Sequence, residues 1–77
     1  MNPVYESEYL QLGLKIADYR KLRGFTQEQL AEKVDRTPAF IGHVEAPNIL
    51  KAISLDTLFD ISRVLDGPVY KFFLFEE

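Results

Sequence analysis

His43 is the chain's one histidine, and there is no cysteine to accompany it. A nucleophile needs an adjacent base and a group that orients it, and a metal needs converging His, Cys or carboxylate ligands. One imidazole and carboxylates scattered along the chain assemble neither, so no enzyme, no metal centre and no cofactor is expected. Without cysteine, disulfides are excluded as well. The remaining chemistry is ionic and hydrogen-bonding, and it is unevenly distributed. The whole chain carries -3. Residues 15–36, however, hold six cations (Lys15, Arg20, Lys21, Arg23, Lys33, Arg36) against Asp18, Glu28, Glu32 and Asp35, a local +2. Residues 54–77 hold Arg63 and Lys71 against five acids, a local -3. A polyanion would meet the first half of the molecule, not the second.

These side chains need a scaffold, and the punctuation of the sequence describes one. Leu12, Ile16 and Tyr19 recur at helical spacing, which predicts a first helix from about Ser7 to Arg23, stopped by Gly24. Thr26 with Gln29 three residues on is a capping box for a second helix with Leu30, Ala31 and Val34 inward. Asp35-Arg36 makes a tight turn. Thr37 as cap and Pro38 at the first helical position begin a third helix on Phe40, Ile41 and Val44. Pro47-Asn48 opens a loop to about Ala52, and Ser54 caps a fourth helix on Leu58, Ile61 and Leu65, ended by Gly67-Pro68. Val69 to Phe75 is a short apolar last helix or extended tail. The expected fold is therefore all-α: a compact five-helix domain over residues 1–77, with 47% hydrophobic residues supplying the core. No apolar run reaches the roughly 18 residues of a membrane span, and Met1-Asn2-Pro3-Val4-Tyr5-Glu6 lacks the blocks of a signal peptide. A cytoplasmic protein without a separate sensing domain is expected.

The centre of the chain is the most specific part. From Gln27 to Ala46 two short helices are joined by a turn too brief to lay them antiparallel, with the small Ala31 at their crossing. Gly24-Phe25-Thr26-Gln27-Glu28-Gln29-Leu30-Ala31-Glu32-Lys33, with Ile41-Gly42-His43-Val44-Glu45 and Leu58, Ile61, Leu65, Val69, Phe72 and Phe73, resembles the Cro/repressor-type helix-turn-helix family (XRE-type, lambda-repressor-like) over residues 12–74. Two positions depart from it. Asp35 stands where the turn usually has Gly, and Arg36 stands where an apolar residue is usual.

The resemblance implies a sequence-specific, DNA-binding transcription regulator, a repressor acting as a homodimer on double-stranded DNA. It places Gln27 on a backbone phosphate and Thr37, Pro38, Ala39, Gly42 and His43 at the base-reading surface. Pro38, Ala39 and Gly42 offer no side-chain hydrogen bond, so readout rests on thymine methyls, on His43 and on DNA shape. Arg36, Asn48 and Lys51, with Arg23 and Lys33, are candidate phosphate contacts. Arg20 and Glu45 match a structural ion pair of the family. Phe72, Phe73 and Phe75 in the apolar tail are candidate dimerisation residues, with Tyr5, Tyr9 and Leu10 beside them. The net acidity and the apolar recognition surface leave a rival: an interaction module, antitoxin- or anti-repressor-like, that engages a protein partner instead of DNA.

Overall fold

The computed structural model describes residues 3–75. The Met1-Asn2 start of the leader reading and both ends of the 1–77 span lie outside the described residues. Four α-helices form: α1 (Glu6–Leu22), α2 (Gln27–Lys33), α3 (Pro38–Glu45) and α4 (Leu55–Val64). Two 3-10 segments flank them, Pro3–Tyr5 and Val69–Phe73. There is no strand among the described residues.

The caps act where their residue types predict. Thr26 accepts from the Gln29 amide while the Gln29 side chain accepts from the Thr26 amide, a complete capping box. Thr37 and Ser54 accept from the amides of Phe40 and Thr57 at the starts of α3 and α4. The exits are equally regular. α1, α2 and α4 each end with a left-handed residue, Gly24 (φ 79°), Asp35 (φ 55°) and Asp66 (φ 53°). At each exit the amide of the left-handed residue and the amide after it turn back onto the helix: Phe25 to Arg20, Arg36 to Ala31 and Gly67 to Ser62 are the longer reaches. Three sharp exits keep the connections short, so α2 and α3 cross rather than stack.

The expected fifth helix is not an α-helix. After Gly67-Pro68 only five residues wind, and they wind as 3-10, with Lys71 bonding back to Pro68. That winding puts residues three apart on one face. Val69 and Phe72 therefore turn inward together, and Phe72 is fully buried, its ring 4.8 Å from that of Tyr19. The tail closes the core instead of extending it.

The core is one cluster drawn from every helix: Leu12 and Ile16 of α1, Leu30 and Ala31 of α2, Ile41 and Val44 of α3, Leu58 and Ile61 of α4, with Val34, Leu65 and Phe72. α3 sits directly on α1 at Gly13. A Cβ there would run into the Val44 carbonyl, so only glycine lets the two backbones come this close. Arg23 reaches across to α4, donating to the carbonyls of Leu65 (2.7 Å) and Asp66 (3.1 Å) and satisfying groups at that helix exit.

Candidate nucleic-acid interface

The side chains that could touch a ligand gather around α3. Its Thr37 cap and Pro38 start fix where the helix begins, and Ile41 and Val44 bury its inner face. Thr37, Pro38, Ala39 and His43 are left exposed and Gly42 half-buried on the opposite side. This is the surface singled out in the sequence, and it is apolar except for Thr37 and His43.

The base of α3 is held by a buried polar cluster. Glu45, the last residue of the helix, accepts from Arg20 of α1 twice, from Nε at 2.7 Å and from Nη2 at 2.9 Å. The third reach of the guanidinium, Nη1, donates to the Phe25 carbonyl in the α1–α2 turn. Both side chains are at least nine-tenths buried. Two parallel bonds to a carboxylate make a rigid, directional joint, and its desolvation cost is offset only because every partner is satisfied. Among the described residues no buried side-chain polar atom lacks a partner.

Gln27, the expected phosphate ligand, joins this cluster. Its Nε2 donates to Glu45 Oε1 at 3.0 Å, and its Oε1 lies 3.5 Å from where a Cβ on Gly42 would be. The amide thus spans the start of α2 and the outer half of α3. No periodicity argument exposes this contact, which joins residues 18 apart through a fold-dependent crossing.

The cations divide. Lys51 lies over the Phe40 ring (5.6 Å) and Lys33 over the Phe25 ring (5.5 Å), so both ammonium groups stay at the surface with an aromatic beneath. Asn48 is exposed in the turn after α3. Arg36 takes the place of an apolar turn residue by donating Nη2 to the buried Thr57 hydroxyl (2.9 Å) and Nη1 to the Asp35 carbonyl (3.2 Å). Thr57 is itself bonded to Ser54, so the turn between α2 and α3 is tied to the cap of α4. Arg23 donates Nε and Nη2 to the exit of α4 and, being exposed, keeps further N–H groups at the surface. Gly13 and Thr57, which position these groups, are not among the site residues that the sequence predicts. A glycine inside a helical pattern was the available signal for the first, and nothing local marks the second.

The aromatic tail also divides. Phe72 is corrected from association surface to core, being 0% exposed. Phe73 is 46% exposed and Phe75 half-buried. Together with Tyr5, Tyr9 and Leu55 they line an apolar groove of about 370 Å³ between the start of α1, the start of α4 and the tail. No helix among the described residues is long and apolar enough to cross a membrane.

Comparison with known proteins agrees with this geometry. The sequence model of a family described as helix-turn-helix matches residues 16–72. The restriction-modification controller protein C.AhdI from Aeromonas hydrophila superposes with a TM-score of 0.82 at 22% identity, over 90% of this chain and 97% of that one. SinR, a master regulator for biofilm formation solved in complex with DNA, is 31% identical, with a TM-score of 0.72 over 79% of this chain and 95% of that one. SinR solved as a complex with the SinI protein matches at 31% identity and a TM-score of 0.71, over 79% of this chain and 58% of that one. No curated protein matches the sequence.

Proposed function

The chain belongs to the XRE-type helix-turn-helix family, and from that premise we propose that it is a DNA-binding transcription regulator, a repressor acting in the cytoplasm as a homodimer on an operator. The observation that carries this reading is the contrast within α3. One face is exposed from Thr37 to His43, while the far end is clamped to α1 by a buried bidentate ion pair. A helix that reads a major groove must be accessible and must not move on its base.

In this reading Thr37, Pro38, Ala39, Gly42 and His43 face the bases. Pro38 and Ala39 suit thymine methyls, and His43 supplies a hydrogen bond. Gln27 contacts a phosphate through its amide, and Lys51, Asn48 and Arg36 line the flanking backbone. Two copies present their α3 helices about 34 Å apart, one duplex turn, to a pseudo-palindrome. The groove at Tyr5, Leu55, Phe73 and Phe75 is the association surface.

The test is retardation of the DNA upstream of the protein's own gene at two salt concentrations. Affinity should fall steeply with salt, by a slope set by the phosphates neutralised. Gln27→Ala should weaken all sequences alike, whereas His43→Ala should flatten discrimination at one base pair. Uniform loss from His43→Ala would remove it from the base readers.

One observation favours a second reading. The exposed tip of α3 is built from Pro38 and Ala39 beside the half-buried Phe40, on a chain of net charge -3. SinR is also known in complex with another protein, SinI. An interaction module using the same surface would leave the upstream DNA unshifted even at low salt and would co-purify with a partner through α3.

A further inference from the structure

We infer that Glu45 is a positioning residue for DNA binding: it aims the Gln27 amide at the phosphate, beyond its part in the ion pair. The inference rests on the DNA-binding reading and deepens it. The starting observation is that the Glu45 carboxylate, already gripped by the Arg20 fork, accepts a third bond from Gln27 Nε2 at 3.0 Å. An Nε2 carries two protons. One points to Glu45, so the other is directed away from the buried carboxylate by the planarity of the amide. The opposite end of the amide, Oε1, lies toward Gly42, 3.5 Å from where a Cβ would stand, an ordinary contact distance. The donor end of Gln27 is placed by the last residue of α3.

The electrostatics make sense of the arrangement. A carboxylate close to a phosphate is repulsive, and Glu45 closes the helix that would enter the groove. Its charge is matched by Arg20, its side chain is 5% exposed, and the neutral amide lies between it and solvent. The phosphate would meet an N–H and not an acid. A glutamine with no partner would have to be ordered at the moment of binding; here its geometry is set beforehand.

The experiment compares two neutral replacements of the ion pair, one with and one without an acceptor oxygen for Gln27. Arg20→Met/Glu45→Gln keeps an oxygen for Gln27, and Arg20→Met/Glu45→Leu does not. Replacing a buried pair as a unit avoids leaving one charge unmatched, and a cooperative melt checks that each variant folds. The Leu variant should bind upstream DNA about tenfold more weakly than the Gln variant, roughly one hydrogen bond to a charged group. Adding Gln27→Ala should cost the Gln variant a similar factor and the Leu variant nothing. Equal binding by the two, or an equal cost of Gln27→Ala in both, overturns the inference and leaves the DNA reading standing. Failure of the native chain to bind at low salt overturns the DNA reading and this inference with it. Side-chain amide NMR of the native chain is independent of whether the variants fold. Gln27 Nε2 proton shifts displaced from those of a free glutamine are expected, with the proton donated to Glu45 moved downfield, and shifts at the free-glutamine positions overturn the positioning role.

Discussion

Asp35 adopts the left-handed conformation that the exit of α2 demands, at φ 55°, where family members usually have glycine. Aspartate tolerates this region better than most residues but at a cost, so Asp35→Gly should gain about 0.5 kcal/mol, read as a higher melting temperature. A loss would mean that the Asp35 side chain stabilises the turn by more than the backbone strain costs. Gly42 poses the opposite case. It sits inside α3 with ordinary van der Waals room for a Cβ, 3.5 Å from Gln27 Oε1. Gly42→Ala should therefore stabilise the fold by about 0.5–1 kcal/mol. In the proposed interface Gly42 lies on the DNA side, so the same variant should bind operator less tightly. Stability and affinity moving in opposite directions would mark the position as selected for approach to DNA; both rising together would argue against a close contact there.

The helices are fixed to one another by two unlike joints. α1 meets α3 through backbone proximity at Gly13 and through the Arg20–Glu45 fork. Overpacking at such a crossing forces backbone shifts, and Gly13→Ala should cost about 1–3 kcal/mol despite the better helix propensity of alanine. Chemical denaturation should show a lower midpoint with an unchanged slope. A neutral result would mean that α3 can slide along α1, which would undermine the idea of a rigid recognition helix. The second joint links the α2–α3 turn to α4 by way of Arg36, Thr57 and Ser54. It substitutes a polar tether for an apolar turn residue while leaving the guanidinium exposed. Arg36 can hold the turn and still offer unused N–H groups to a phosphate, since a guanidinium has five donors.

For the whole molecule the proposal to test is that two copies meet through the tail. Tyr5, Leu55, Phe73 and Leu74 are each about half exposed or more, and Tyr5, Leu55 and Phe73 share one groove. With Phe72 inside the core, Phe73 is the informative position, because a charge there reaches solvent in the monomer and is buried in the proposed dimer. Phe73→Asp should give a folded monomer by sedimentation with markedly weaker operator binding, as the two half-sites are no longer linked. An unchanged dimer would move the interface elsewhere. The aspartate is not a fair probe at Phe72, where it would abolish folding.

Much of this was legible in the chain. Helix starts at Thr26, Thr37 and Ser54 and stops at Gly24 and Asp35 follow from local chemistry, because a cap is a contact between residues three apart and a left-handed exit is a property of one residue. The exposed face of α3 follows from periodicity. For the tail the sequence predicts a fifth helix or extended segment with one face on the core and Phe72 on the association surface, and which ring turns inward is decided only when a core is there to choose a face. Family resemblance pairs Arg20 with Glu45, whereas the turn of Gln27 toward Glu45, the tether of Arg36 to Thr57 and the need for Gly13 arise where elements distant in sequence cross. Local hydrogen bonds and periodicity are written in neighbouring residues. Which side chain completes a buried carboxylate, or where two helix backbones touch, depends on crossings that exist only once the helices have packed.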